Sequence, residues 1–189
     1  MNHLEIEFKS LLTEGEFQSL LPLFSEVAPA SQTNHYFDTP DWQLRDRRSS
    51  LRIRTFTDAA ELTLKISQNV GNMEYNQDLT LSEADKMLAG EPLVPGQILD
   101  ILTQEGISAQ DLQVLGSLTT VRREMQHEIG LLALDESHYF SITDYELEVE
   151  VEDAKTGEQA FFQFLENHDI NYKFAKSKIA RFAQNLPKS

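Results

Sequence analysis

The chain alternates. In "LEIEFK", apolar Leu4, Ile6 and Phe8 interleave with Glu5, Glu7 and Lys9, the period of two with which a β-strand sends each set to its own face. The same period recurs in "SSLRIRTF" and "AELTLKIS", a plausible hairpin across "TDAA", and in "GNMEYNQDLTL". It returns in "LQVLGSLTTVRREMQHE", "GLLALDES" and "FSITDYELEVEVED", while "TNHYFDTPDWQL" reads as a strand ended by the turn signal Thr39-Pro40-Asp41. Elsewhere the period lengthens to that of a helix. "TEGEFQSLLPLFSE" spaces Phe17, Leu20, Leu21 and Phe24 helically, with Thr13 and Glu16 in capping-box positions and Pro22 placed to kink or interrupt the run. "SEADKMLAGEPLVPGQILDILTQEG" predicts two short helices, and "GEQAFFQFLENHD" and "AKSKIARFAQNL" two amphipathic ones. No linker, fixed-period repeat or low-complexity tract divides the chain. The expected architecture is α+β, a single domain over residues 1–189 with about eight mostly antiparallel strands in a barrel or strongly curved sheet.

The charges keep to one face of each strand. Arg52 and Arg54 oppose Leu51 and Ile53, and Lys65 sits with Thr63 opposite Leu62, Leu64 and Ile66. Glu74, Asn76 and Asp78 share a face, as do Thr120, Arg122 and Glu124, and Asp135 opposes Leu132 and Leu134. Asp144, Glu146, Glu148, Glu150 and Glu152 form a row against Tyr145, Leu147, Val149 and Val151. An ordinary barrel fills its interior with the apolar face and leaves charges wet. Here the helical segments also need apolar partners, so the inverse is open: apolar side out beneath helices, charged side in. Parity is the same in both.

Charge spacing adds chemistry. Residues two apart on a strand lie about 6.6 Å apart, where like charges repel by about 2.5 kcal/mol at an effective dielectric of about 20. The row Glu146, Glu148, Glu150 therefore calls for a cation between its members. Alternating carboxylates without Cys or spaced His suit a hard divalent ion, Mg²⁺ or Mn²⁺. The Arg and Lys positions suit phosphate, which guanidinium binds in bidentate geometry. Together they describe a pocket for a metal–polyphosphate complex.

Composition narrows the field. Forty per cent apolar and 25% charged residues in 189 fit an ordinary globular chain, and a net charge of −15 argues against general nucleic-acid binding. No apolar run reaches membrane-spanning length and no basic-then-apolar leader opens the chain, so no membrane or export role is expected. The absence of cysteine rules out a disulfide framework and thiolate metal sites and suits a reducing cytoplasm, the expected location. The five His are scattered without zinc-site spacing, and there is no Walker A, G-x-G-x-x-G or nucleophile elbow. Arg123, of opposite parity to Arg122, is expected to face solvent or a helix; Arg45, Arg47 and Arg48 read as surface charge, and Trp42 as a packing residue.

In order along the chain, E-x-E-x-K (Glu5, Glu7, Lys9), "HYFDTP", "LRIR", "LTLK", "TTVRRE", "LALD", "DYELEVEVE" and "KSKIARF" resemble the CYTH family, the triphosphate tunnel metalloenzymes. The resemblance covers nearly the whole chain. It implies a closed eight-stranded antiparallel tunnel with a polar interior and helices packed outside, and metal-dependent hydrolysis of a triphosphate; with no obvious aromatic pocket for an organic end, inorganic tripolyphosphate is the expected substrate. It also brings alternatives: class IV-type cyclisation of ATP, thiamine triphosphate hydrolysis, or binding of polyphosphates or nucleotides without catalysis. By position, Glu5, Glu7, Asp135, Glu146, Glu148 and Glu150 resemble metal ligands, with the ligating pair within "ELEVE" left open. Lys9, Arg52, Arg54, Lys65, Glu74, Arg122 and Lys176 or Lys178 resemble the triphosphate-binding set, and Glu5, Glu7, Asp135 and Glu148 the catalytic one. The expected partner is a small-molecule triphosphate, and the protein a monomer or homodimer. One departure stands out: relatives often carry R-x-E-x-E where this chain has Asn72, Glu74 and Asn76.

Overall fold

The computed structural model describes residues 2–187. Its strands are β1 (Asn2–Leu12), β2 (Ala30–Asp38), β3 (Ser49–Thr55), β4 (Ala60–Ser67), β5 (Asn72–Leu79), β6 (Gln113–His127), β7 (Gly130–Tyr139) and β8 (Ile142–Val151). Their hydrogen-bonded order, β1-β5-β4-β3-β2-β6-β7-β8, closes as an antiparallel barrel with the helices outside, the expected α+β class. The chain divides into two compact units.

The first unit, the chain up to Leu4 with Gln32–Leu118, carries β2 to β5 as an antiparallel meander. Leu51, Ile53, Leu62 and Leu64 are at most 1% exposed. They pack with Ala84 and Met87 of helix α3 (Leu81–Leu88) and Ile98 and Leu102 of helix α4 (Gln97–Gln104). Each such burial stabilises by about 1.5–3 kcal/mol, whereas placing the opposite, charged face under helices would cost several kcal/mol per unpaired ion. The charged face therefore lies away from the helices. α3 starts in a capping box of Thr80 and Glu83. A short helix α2 (Gln43–Asp46), which hydrophobic spacing does not announce, is built on Asp38. That buried carboxylate accepts the N–H groups of Thr39, Leu44 and Arg45, satisfying donors that a helix start leaves open.

The second unit, Glu5–Ser31 with the chain from Thr119 on, pairs β1 with β8, β8 with β7 and β7 with β6. Leu132, Leu134, Leu147 and Val149 have no exposed surface; they pack with Phe17 and Leu20 of helix α1 (Glu14–Leu20) and Phe161 and Phe164 of helix α5 (Ala154–Asn167). The predicted Thr13–Glu16 capping box forms, and Pro22 turns the run into a 3₁₀ segment, Leu21–Phe24. At Gly157 a Cβ would come within 2.5 Å of the Val151 side chain, so α5 lies closer to β8 than any larger residue permits. The last helix is α6 (Lys178–Gln184). Both units thus adopt the inverse arrangement, apolar face to α1, α3, α4 and α5 and charged face away from them.

Candidate active site

On the charged face of the second unit, register assembles the acids. Asp135 of β7 stands opposite Glu146 of β8 and opposite Arg122 of β6, and Lys9 of β1 stands opposite Glu148. Asp135 and Glu146 are fully buried, Glu148 nearly so, and ligand oxygens of the three lie within 4.8 Å of one another. Helix α6 adds cations: Ser177 caps it, and Lys178 and Arg181, three residues apart, share one face. Lys178 Nζ donates to Glu146, donates to Glu148 at 2.6 Å and pairs with Asp135 at 2.8 Å. Arg122 donates through Nε and Nη2 to the two oxygens of Asp135, and through Nη2 to Glu148 at 2.5 Å. Lys9 donates to Glu7 at 2.5 Å and lies 3.7 Å from Glu148. Behind the trio, Arg181 donates to Glu146 at 2.6 Å and to Asp144 at 3.1 Å, and Tyr139 Oη donates to Asp144 at 2.8 Å.

Burial and charge compete at each group. Burial pushes Asp135 and Glu148 up, but Lys178 and Arg122 outweigh it and hold both below the usual carboxylate range, Glu148 well below. Burial wins at Glu146, which rises to about 7 against the pull of Lys178 and with a further push from Glu148. Burial lowers Lys178 and Arg122, yet the surrounding carboxylates, Asp135 foremost, carry both well above their ordinary values, so they stay cationic. The trio is thus a set of buried, mutually close oxygen donors without nitrogen or sulfur ligands, the donor chemistry of a hard divalent cation. Its residues fit such an ion.

Other predicted residues take different places. Glu150 stands opposite Glu7 in the β1–β8 ladder, outside the trio, and Glu5 is half-buried on β1. Lys176 is exposed and brings only its backbone carbonyl to Arg181, so of the two lysines in "KSKIARF" it is Lys178 that reaches the acids. Arg123 stands opposite Leu134, Arg45, Arg47 and Arg48 are exposed, and the Arg45 guanidinium lies 4.8 Å over the ring of Trp42.

The first unit has its own charged cluster. Lys65 and Glu74 face each other across β4 and β5, and Glu74, 6% exposed, lies 3.3 Å from Arg52, 3.4 Å from Lys65 and 3.4 Å from His3. Burial raises Glu74, but Lys65 and Arg52 outweigh it and hold the carboxyl below its ordinary value. Arg54 Nε donates to Asn34 Oδ1 at 2.9 Å, directly across the β2–β3 ladder. Asn72 accepts from Ser67, and Asn76 stands opposite buried Thr63. Among the buried polar residues that the sequence does not single out are Arg181 and Asn34. Arg181 carries a usable signal, its i+3 spacing from Lys178; Asn34 is uncharged on a strand without charge alternation and carries none.

The CYTH domain matches residues 3–183. A protein named "Putative triphosphatase YjbK" from Bacillus subtilis is 39% identical over 188 residues, covering 98% of this chain and 97% of that protein. Among solved structures, a "putative adenylate cyclase" from Bacillus halodurans superposes with a TM-score of 0.90 at 34% identity, covering 96% of this chain and 98% of the other. A Hippeastrum protein described as a "putative adenylyl cyclase" that "reveals a dominant triphophatase activity" superposes with a TM-score of 0.85 at 26% identity, with 98% of both chains covered. Among the described residues no helix is long and apolar enough to cross a membrane. The chain belongs to the CYTH family.

Proposed function

We propose that this CYTH chain hydrolyses inorganic tripolyphosphate in a reaction that depends on Mg²⁺ or Mn²⁺. The observation that carries the reading is the buried Asp135–Glu146–Glu148 trio with Lys178 and Arg122 on the same oxygens. Acids able to hold a divalent ion and cations able to hold phosphate stand within one hydrogen bond of each other. The names of the Bacillus subtilis and Hippeastrum relatives support triphosphatase chemistry.

Phosphoryl transfer asks the protein mainly for position and charge neutralisation. Asp135, Glu146 and Glu148 are the proposed core of the ion's ligands, with Glu5, Glu7 and Glu150 as further acids on neighbouring strand positions. A divalent ion bound there would neutralise developing charge and polarise a phosphoryl oxygen. Lys178 and Arg122 turn from the carboxylates to the terminal phosphate, and Lys9, Arg52, Arg54 and Lys65 serve as further phosphate ligands. Glu74 keeps Arg52 and Lys65 oriented. Asp135 or Glu148, both held ionised, orients the attacking water and accepts its proton. Attack at the terminal phosphorus breaks one P–O–P bond and yields orthophosphate and pyrophosphate. The cysteine-free composition supports a cytoplasmic location.

A second reading, cyclisation of ATP, is favoured by the description of the Bacillus halodurans structure. One assay separates the two: purified protein with tripolyphosphate, ATP or thiamine triphosphate, each with Mg²⁺ or Mn²⁺. Orthophosphate released fastest from tripolyphosphate is the expected result. Cyclic AMP from ATP would select the second reading, thiamine triphosphate as the fastest substrate would change the substrate, and binding without turnover would remove the enzyme.

A further inference from the structure

Asn34 has no exposed surface, yet its amide is only half used. Arg54 Nε donates to its Oδ1 at 2.9 Å, and this bond fixes the orientation of the carboxamide, since the flipped amide would set a donor against a donor. Asn34 Nδ2 is then left buried with no hydrogen-bond partner. On the same sheet face, diagonal to it across β2 and β3, Arg52 Nε is a second buried donor without a partner. Buried donors are normally satisfied, because each one left open costs stability. Two donors left open beside each other, with Arg54 beside them, match a ligand that only accepts hydrogen bonds and carries negative charge. A phosphate oxygen is such a group.

Resting on the triphosphatase reading above, we propose that Asn34 is a further substrate ligand. Its Oδ1 holds the Nε edge of Arg54 and so fixes the plane of that guanidinium. Its Nδ2 donates to a phosphate oxygen of the triphosphate, reached when the flexible Arg52 and Arg54 side chains swing toward the anion. Alanine at this position would carry no open donor in the unliganded protein, so the amide is a group whose use arrives with the ligand.

The test compares wild type with Asn34→Ala and Asn34→Asp. Asn34→Asp keeps an acceptor for Arg54 but replaces the free donor by a repelling oxygen. Three quantities are measured on each: unliganded thermal midpoint, tripolyphosphate affinity by calorimetry in chelator, and kcat and KM for tripolyphosphate with Mg²⁺. Losing a hydrogen bond to a charged group is expected to weaken affinity and raise KM by about tenfold or more in both variants. The unliganded midpoint of Asn34→Asp, which keeps the acceptor for Arg54, should stay near that of wild type, and kcat of both variants within about threefold, as befits loss of uniform binding. Should either variant fail to fold, Asn34→Ser, which keeps a small donor, replaces it and is expected to fall between wild type and Asn34→Ala. Wild-type affinity and KM in the folded variants would overturn the role of Asn34 while leaving the triphosphatase reading intact. A fall in kcat at unchanged KM would also overturn it. Wild type that neither binds nor hydrolyses tripolyphosphate would overturn both.

Discussion

Arg122 grips Asp135 with two nitrogens, Nε to Oδ1 at 2.8 Å and Nη2 to Oδ2 at 2.7 Å. Lysine cannot reproduce this fork, because its charge is a point on a flexible stem. Arg122→Lys is therefore expected to keep the fold but lose about 1–3 kcal/mol of stability by urea unfolding. Its kcat/KM for tripolyphosphate should fall by about a hundredfold. A lysine variant as active as wild type would show that the fork is unnecessary.

Glu146 and Glu148 meet Asp135, and Glu150 stands apart, opposite Glu7. Glu146→Gln and Glu148→Gln should each abolish measurable Mn²⁺ binding, read by titration calorimetry, and lower turnover at least about a hundredfold. Glu150→Gln should retain Mn²⁺ binding within about tenfold. Equal losses in all three variants would place Glu150 among the ligands.

Arg181, 7% exposed, is the cation behind Glu146 and Asp144. Arg181→Ala leaves both carboxylates without it, and breaking a buried pair from one side typically costs about 3–5 kcal/mol. The expected result is a lowered urea midpoint at pH 7, with a smaller loss in Arg181→Lys. No change in midpoint would mean that the pair contributes nothing net.

Glu74 gives a pH dependence with a definite sign. Its folded pKa is depressed by Lys65 and Arg52 against burial, so its contribution to stability is present above the unfolded value, about 4.3, and is lost as pH falls through the lower folded value. In urea unfolding from pH 7 to pH 3, the stability gap between wild type and Glu74→Gln should hold near neutrality and shrink below about pH 4.3. A gap that stays constant to pH 3 would contradict the ion pairing.

Much of this was readable in the sequence, for a physical reason. Strand periodicity is two, so "LRIR" and "ELEVE" fix which side chains share a face, and Leu51 and Ile53 do lie under helices while Arg52 and Arg54 face away. What alternation lacks is sidedness: the same parity serves a barrel of either sense, and the family resemblance, then the packing of α3, α4 and α5, supplied it. Register is equally silent in one dimension. That Glu146 and Glu148 of the glutamate row lie with Asp135 emerges only from the folded strands, and that Lys178 rather than Lys176 reaches them only from the placement of α6. Helix α2 escaped because it is built by one side chain, Asp38, and not by apolar spacing. Asn34 escaped because an uncharged residue on a mixed strand has no periodic signature.

The most direct measurement is the initial rate of orthophosphate release from tripolyphosphate by the purified protein, with Mg²⁺ or Mn²⁺, after chelation, and in Glu148→Gln. Release that needs the ion, returns when it is restored and is lost in Glu148→Gln is the predicted result. Release that persists in chelator and in Glu148→Gln, or none under any of these conditions, would contradict a catalytic role for the Asp135–Glu146–Glu148 trio.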